Sequence, residues 1–153
     1  MKKLNYLLSA VVLLAVLVTV GCGTNEPGPS AEVQVTDMFA KTWTLTSASL
    51  DNDPITDMNG LTLTVNSAFT YSTGGTVARS PHPWPSNGTW EFTTPITEVT
   101  GSFQVTRDDG LVIDVTLTET TLILRFIFIE GTNLGSGRVE ALAGAWSMEF
   151  AAQ

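Results

Sequence analysis

One cysteine and one histidine stand in 153 residues. A lone cysteine excludes an internal disulfide, and one thiol with one imidazole cannot supply the several ligands of a zinc site. Basic residues are also scarce: seven Lys and Arg face fifteen Asp and Glu, a formal charge of −8. Nucleic-acid binding draws on clustered Lys and Arg to release counterions from phosphates, so this balance excludes it. Beyond the N-terminal segment no apolar pattern of helical period is long enough for a crossover connection. Parallel βαβ units need such a helix and are excluded with it.

What is present starts at the N-terminus. Met1-Lys2-Lys3 precedes an apolar run from Leu4 to Val20 and then Gly21-Cys22-Gly23, the order of a secretory signal. The run spans 17 residues including Asn5 and Ser9, at the lower edge of the roughly 17 to 25 that a spanning helix needs, and a polar stretch follows it. A cleaved signal over residues 1–21 is therefore favoured over a retained span. Thr19-Val20-Gly21-Cys22 resembles the bacterial lipobox, with Thr19 where Leu is usual. The resemblance implies a diacylglycerol thioether on Cys22, cleavage before it, and acylation of the new amine. Several acyl chains, at about 0.8 kcal/mol per buried methylene, hold a protein at a membrane more firmly than one. Gly23 in place of Asp implies, by the same resemblance to sorted Gram-negative lipoproteins, the outer membrane of the cell envelope. Cleavage also removes Lys2 and Lys3, leaving five basic against fifteen acidic residues and a net charge of −10. So acidic a surface repels anionic lipid, and the acyl chains are the expected link to the membrane.

Gly23 to Val33 is built of Gly, Pro, Ser, Thr and Glu without apolar periodicity, the composition of a flexible tether. Residues 22–36 are read as lipidated Cys and tether, and 37–153 as one domain of ordinary size. Within it Thr42 to Thr46, Leu61 to Val65, Phe69 to Tyr71 and Trp90 to Phe92 alternate polar with apolar. That period of two puts Trp43, Leu45, Leu61, Leu63, Val65, Phe69, Tyr71, Trp90 and Phe92 on one face of half-buried strands. Phe103 and Val105, Leu111 to Leu117, Leu122 to Phe128 and Trp146 to Phe150 continue the pattern. Asp108-Asp109-Gly110, Thr118 to Thr121 and Asn133 to Gly137 supply turn chemistry between them. Only Asp37 to Ala40 and Arg138 to Ala143 read as short helical turns. The expected class is all-β, about eight antiparallel strands that must close to bury one apolar face. A small up-and-down barrel is the natural solution, with a β-sandwich as the alternative. Ile123, Arg125, Ile127 and Ile129 make the second face of one strand apolar as well, so the Val33 to Ala40 arm or the tether is expected to cover it, or it is an outward binding surface.

Ala40-Lys41-Thr42-Trp43-Thr44-Leu45, Asn87-Gly88-Thr89-Trp90-Glu91-Phe92 and Leu142-Ala143-Gly144-Ala145-Trp146-Ser147-Met148 carry a further resemblance. They are similar to the G-x-W motifs of lipocalin-like domain lipoproteins of Bacteroidota, with Lys41 in place of the first Gly. The resemblance spans roughly Phe39 to Phe150 and implies a lipocalin-like barrel at the envelope.

Candidate sites are few. His82 lies in Ser80-Pro81-His82-Pro83-Trp84-Pro85-Ser86. Without an orienting carboxylate and an activated nucleophile it is read as an exposed loop histidine. Trp84, between prolines and outside any strand, either folds back as a lid over the barrel or stacks on a sugar or partner, and the lid is favoured. Asp51, Asp53, Asp57 and Asn59 share one loop but fail the spacing of a calcium loop. Asn87-Gly88-Thr89 is read as a turn leading into the Trp90 strand. Glu91, Asp114, Glu119 and Glu149 take outward positions, and nothing marks a cleft to make a carboxylate pair catalytic. Trp43, Phe69, Tyr71, Trp84, Trp90, Phe92, Phe126 and Trp146 are the candidate lining of an apolar ligand cavity, although eight strands enclose a space that side chains can fill. The expected function is a cofactor-free, metal-free, non-enzymatic envelope lipoprotein that binds a small apolar ligand or serves structurally. The alternative is an adhesion or glycan-binding accessory module using the Trp84 loop. Changing Cys22→Ser is expected to abolish incorporation of radiolabelled palmitate and to shift the protein from the membrane to the soluble fraction.

Overall fold

The computed structural model describes residues 28–79, 82–129 and 142–153. Ser30 caps the first element, helix α1 (Ala31–Phe39): its hydroxyl accepts the Val33 N–H at 3.3 Å, and Glu32 sits in the first turn, where the helix dipole favours an anion. Val35 and Phe39, four residues apart, are buried on one side of it. The expected helical turn at Asp37 to Ala40 is thus the end of a longer helix that starts inside the stretch whose composition reads as tether. A two-residue apolar stripe is too short to register as periodicity among Pro, Ser and Glu. The other expected helical turn, Arg138 to Ala143, and the turn Asn133 to Gly137 fall wholly or mostly outside the described residues.

Among the described residues nine strands follow: β1 (Thr42–Leu50), β2 (Asp53–Pro54), β3 (Thr62–Asn66), β4 (Thr70–Gly74), β5 (Asn87–Phe92), β6 (Ser102–Arg107), β7 (Val112–Leu117), β8 (Thr121–Phe128) and β9 (Gly144–Ala152). From β3 to β9 each strand pairs antiparallel with the next; β1 pairs with β3 and also with β9. The eight strands β1 and β3 to β9 therefore form a closed up-and-down barrel of small lipocalin-like type, and the sandwich alternative falls because the sheet has no gap. The two-residue β2 is an appendage of β1, folded back through Asp51 and Asn52 at φ 53° and 72°, the left-handed pair that a tight hairpin turn demands.

Alternation places Leu122, Leu124, Phe126 and Phe128 inside, with Trp146, Met148 and Phe150 of β9 beside them. In β1 the alternation breaks. A bulge between Leu45 and Ser47 leaves Thr46 and Ser47 exposed and returns Ala48 to the interior, so the strand runs four residues beyond the Thr42 to Thr46 read from period two. The β6–β7 hairpin turns on Asp108-Asp109-Gly110 as expected: Gly110 has φ 83°, and Arg107 N–H donates to Leu111 O at 2.9 Å.

Four expectations need correction. Phe69 is not an inward strand residue: it ends the β3–β4 turn at φ 59°, 36% exposed, because the turn takes a residue out of register. Asn87 and Gly88 are not a turn but the first residues of β5, paired with Ser72 and Tyr71. A Cβ on Gly88 would lie 2.5 Å from Tyr71 Oη, so glycine is needed for close approach. Glu119 lies in the β7–β8 turn, not on a strand. Finally, α1 does not cover the outer face of β8: Phe39 packs edge-on against Trp90 and Phe103, centroids 5.1 and 5.7 Å away, leaving Ile127 and Ile129 65% and 71% exposed.

The two faces of β8 make opposite predictions. Leu124→Ala, at a 1% exposed site, is expected to cost about 2–5 kcal/mol, and Ile127→Ser to stay within about 0.5 kcal/mol, both read from urea denaturation midpoints.

Candidate functional site

The interior gathers most of the aromatic residues picked out in the sequence. Trp43, Tyr71, Trp84, Trp90, Phe126 and Trp146 are all buried, whereas Phe92 is half-buried and Phe69 lies at the rim. Trp43 and Trp146 use the same device near the starts of β1 and β9. Each indole N–H donates to the carbonyl four residues earlier, Phe39 O at 3.0 Å and Leu142 O at 2.8 Å. Each thereby locks the approach to its strand while placing a large ring inside.

Trp84 folds back as a lid. Its loop inserts the ring edge-on to Tyr71 and Phe126, and its N–H reaches Met148 Sδ at 3.2 Å. At 6% exposure it offers no open face for stacking on a sugar. Together these rings fill the barrel. The cavity bounded by Phe39, Leu63, Tyr71, Trp84, Trp90 and Arg107 measures about 20 Å³, far below the roughly 300 Å³ at which small-molecule pockets begin.

Arg107 was not among the candidates, yet it anchors the polar end of this core. Phe103, Val105 and Arg107 follow the period of two, so an inward cation was legible from its register. Arg107 is 2% exposed and donates to Asp109 through Nε and Nη2 at 2.9 and 2.6 Å, and to Pro83 O through Nη1 at 2.8 Å. Its guanidinium lies 5.1 Å from the Trp84 ring centroid, a cation–π contact that ties the lid from its face. Burial alone would raise the Asp109 carboxyl, but the hydrogen bonds and charge of Arg107, with the Leu111 N–H, outweigh it and hold the group below the usual carboxylate range. Burial pushes the Tyr71 phenol up to about 12, with Asp108 and Asp109 adding to the shift and Arg107 opposing it.

His82 is half-buried, not fully exposed; burial lowers its imidazole from the ordinary value, and Nδ1 meets no partner among the described residues. Asp57 is engaged by Arg79 at 3.3 Å and Asp51 accepts the Ala145 N–H at 2.8 Å, so two members of the acidic loop serve as loop ties. Among the described residues no three His, Cys, Asp or Glu side chains converge as metal ligands. Glu91, Asp114 and Glu149 face outward as their register requires. No helix of the described residues is long and apolar enough to cross a membrane. Cys22 and the signal segment lie outside the described residues.

The larger concavity lies outside the barrel. A groove of about 930 Å³ runs over β7, β8 and β9, with Val112, Asp114, Arg125, Ile127 and Ser147 among its walls. The described cations are otherwise engaged: Lys41 with Glu119 O, Arg79 with Asp57, Arg107 with Asp109. Arg125, exposed in this groove, has no such bond among the described residues, and Asp114, directly across from it, accepts from Gln104 Nε2 at 2.7 Å. In comparison with known proteins, no family model, no curated protein and no solved structure matches this chain.

Asp109→Asn should destabilise the protein at pH 7 by on the order of 3 kcal/mol, at the low end for a broken buried pair because Asp109 keeps 16% of its side chain in water. A depressed carboxyl contributes stability above its unfolded value and loses it as the pH falls through the folded one. The deficit is therefore expected to persist down to about pH 3.9 and to shrink below it, as followed by urea midpoints across pH.

Proposed function

We propose that this chain is a lipid-anchored, non-catalytic binding module of the cell envelope that acts through the outer face of its barrel. Acylated Cys22 is its link to the membrane, with residues 1–21 removed and the outer membrane its site, as the lipobox and lipocalin-like lipoprotein resemblances imply. The observation that carries the reading is the contrast between a filled interior of about 20 Å³ and an outer groove of about 930 Å³ flanked by a 65% exposed Ile127. A carrier of an apolar ligand needs the reverse. The non-catalytic reading rests on His82, whose Nδ1 has no hydrogen-bond partner, a carboxylate included, among the described residues.

The occupant we assign to the groove is a protein segment that presents a carboxylate beside apolar side chains. Arg125 supplies the cation that such a carboxylate meets, flanked by Ile127 on its own strand and Val112 on the next. An exposed apolar patch rimmed by polar groups marks a contact site, and arginine is enriched in such sites. A bilayer fits less well: the groove is concave, and a net charge of −10 after signal removal repels anionic headgroups.

A photo-crosslinking residue at position 127, in intact envelopes, tests this against the same residue at position 91 on another outer face. The expected result is one protein adduct of defined mass, specific to position 127, lost with Arg125→Glu and kept with Arg125→Lys. Adducts of lipid alone, a dimer of the chain itself, or equal labelling from both positions would each overturn the assignment.

A further inference from the structure

The ladder between β7 and β8 stops before the strands do. It pairs Leu117 with Leu122 and ends at Asp114 opposite Arg125, although β7 begins at Val112 and β8 continues to Phe128. The same register would set Val112 opposite Ile127, and these two are not paired. Hydrogen-bonded pairs alternate with non-bonded ones along an antiparallel ladder. Thr118 N–H donates to Thr121 O at 2.9 Å, so the bonded pairs that follow are Thr116 with Ile123 and Asp114 with Arg125, and the next in line is Val112 with Ile127. The flanking ladders agree. Arg107 N–H donates to Leu111 O and Ala152 N–H to Thr120 O, which turns the odd-numbered residues of β7 toward β6 and the even-numbered residues of β8 toward β9. The main chains of Val112 and Ile127 therefore point at the space between β7 and β8 and are unpaired there.

The outer groove opens at this place: Val112 lines it from one side and Ile127 from the other. Phe126 and Trp146, whose side chains face the barrel interior, line it as well, so its floor reaches their rings. Unpaired strand main chain beside exposed apolar side chains is a template for another strand, and adding an extended segment to such an edge is a recurrent mode of peptide recognition.

We infer that a partner segment in extended conformation adds to β8 at Ile127, continuing the antiparallel ladder that β7 leaves. This rests on the reading of the groove as a contact site for a protein segment, and fixes the conformation and residue order of that segment. The partner residue opposite Ile127 exchanges two main-chain hydrogen bonds with it. Its side chain stands on the outer face, within diagonal reach of Arg125, and is the one that carries the carboxylate. The residues before and after it turn inward by the period of two, toward Phe126 and Trp146. The order recognised is apolar, acidic, apolar.

The test uses the mature lipoprotein in detergent and the capped peptide Thr-Val-Glu-Val-Thr. In the protein alone the Ile127 amide is expected to exchange freely with deuterated water, while the Arg125 amide, paired with Asp114, is protected. The peptide is expected to slow exchange at Ile127 and shift its amide resonance. Methylating the glutamate nitrogen, which removes one main-chain donor and keeps every side chain, is expected to abolish both effects. Protection of Ile127 in the protein alone would overturn the inference, because the place is then already filled. Binding without a shift at Ile127, or equal binding of the methylated peptide, would overturn it too: either marks recognition through side chains alone and leaves the contact-site reading standing. Failure of the peptide to bind also overturns it, and the adduct from position 127 in envelopes decides separately whether a protein segment occupies the groove.

Discussion

Every other feature of this molecule depends on the pairing of β1 with β9. Seven residue pairs, from Trp43 with Ala152 to Leu50 with Trp146, join the first long strand to the last. Without that seam the meander would be an open sheet with two unprotected edges and an apolar face in water. With it, the inward residues of eight strands face one another, and hydrophobic burial becomes available to all of them at once. The two tryptophans that open these strands, each held by the carbonyl four residues back, set the seam by fixing where both strands begin.

Closure also explains why the interior is full. Eight strands leave a barrel narrow enough for side chains to occupy, and this sequence sends bulky aromatics inward from most strands. Trp84 then enters from a loop and α1 adds Phe39, so that two elements outside the barrel strands contribute rings to the core. Arg107 is the exception to an apolar interior, and its cost is offset by the two bonds it donates to Asp109, the one it donates to the Pro83 carbonyl and the face of Trp84. The same residue thus organises the polar end of the core and holds the loop that seals it.

The proposed function accordingly lies on the outside of the barrel and not within it. A barrel whose interior is occupied by its own side chains offers a partner its walls and rims, and here the wall over β7 to β9 is the apolar and concave one. The odd strand in the sequence, with apolar residues on both faces of β8, is the strand that carries this surface. Its inward face is needed for closure; its outward isoleucines are not, which is the physical ground for assigning them to contact with something else.

Much of this was legible in the residues. Period-two alternation identified β7 and β8 throughout, the first half of β1, most of β3 and the centre of β9, because a strand buried on one face must alternate. Antiparallel order followed from the short Asp-Gly and Thr-Glu turns and the absence of a crossover helix. Where alternation failed there was a local cause invisible to a pattern: the bulge that lengthens β1, the left-handed Phe69, the early pairing of Asn87 and Gly88. The sequence by itself determined an all-β chain with one apolar face to hide. Only the tertiary structure decided that β9 returns to β1, that Trp84 and Phe39 fill the space so enclosed, and that the outer face of β8 stays open. Closure, filling and exposure are relations between distant segments, and no local pattern of residues encodes what meets across them.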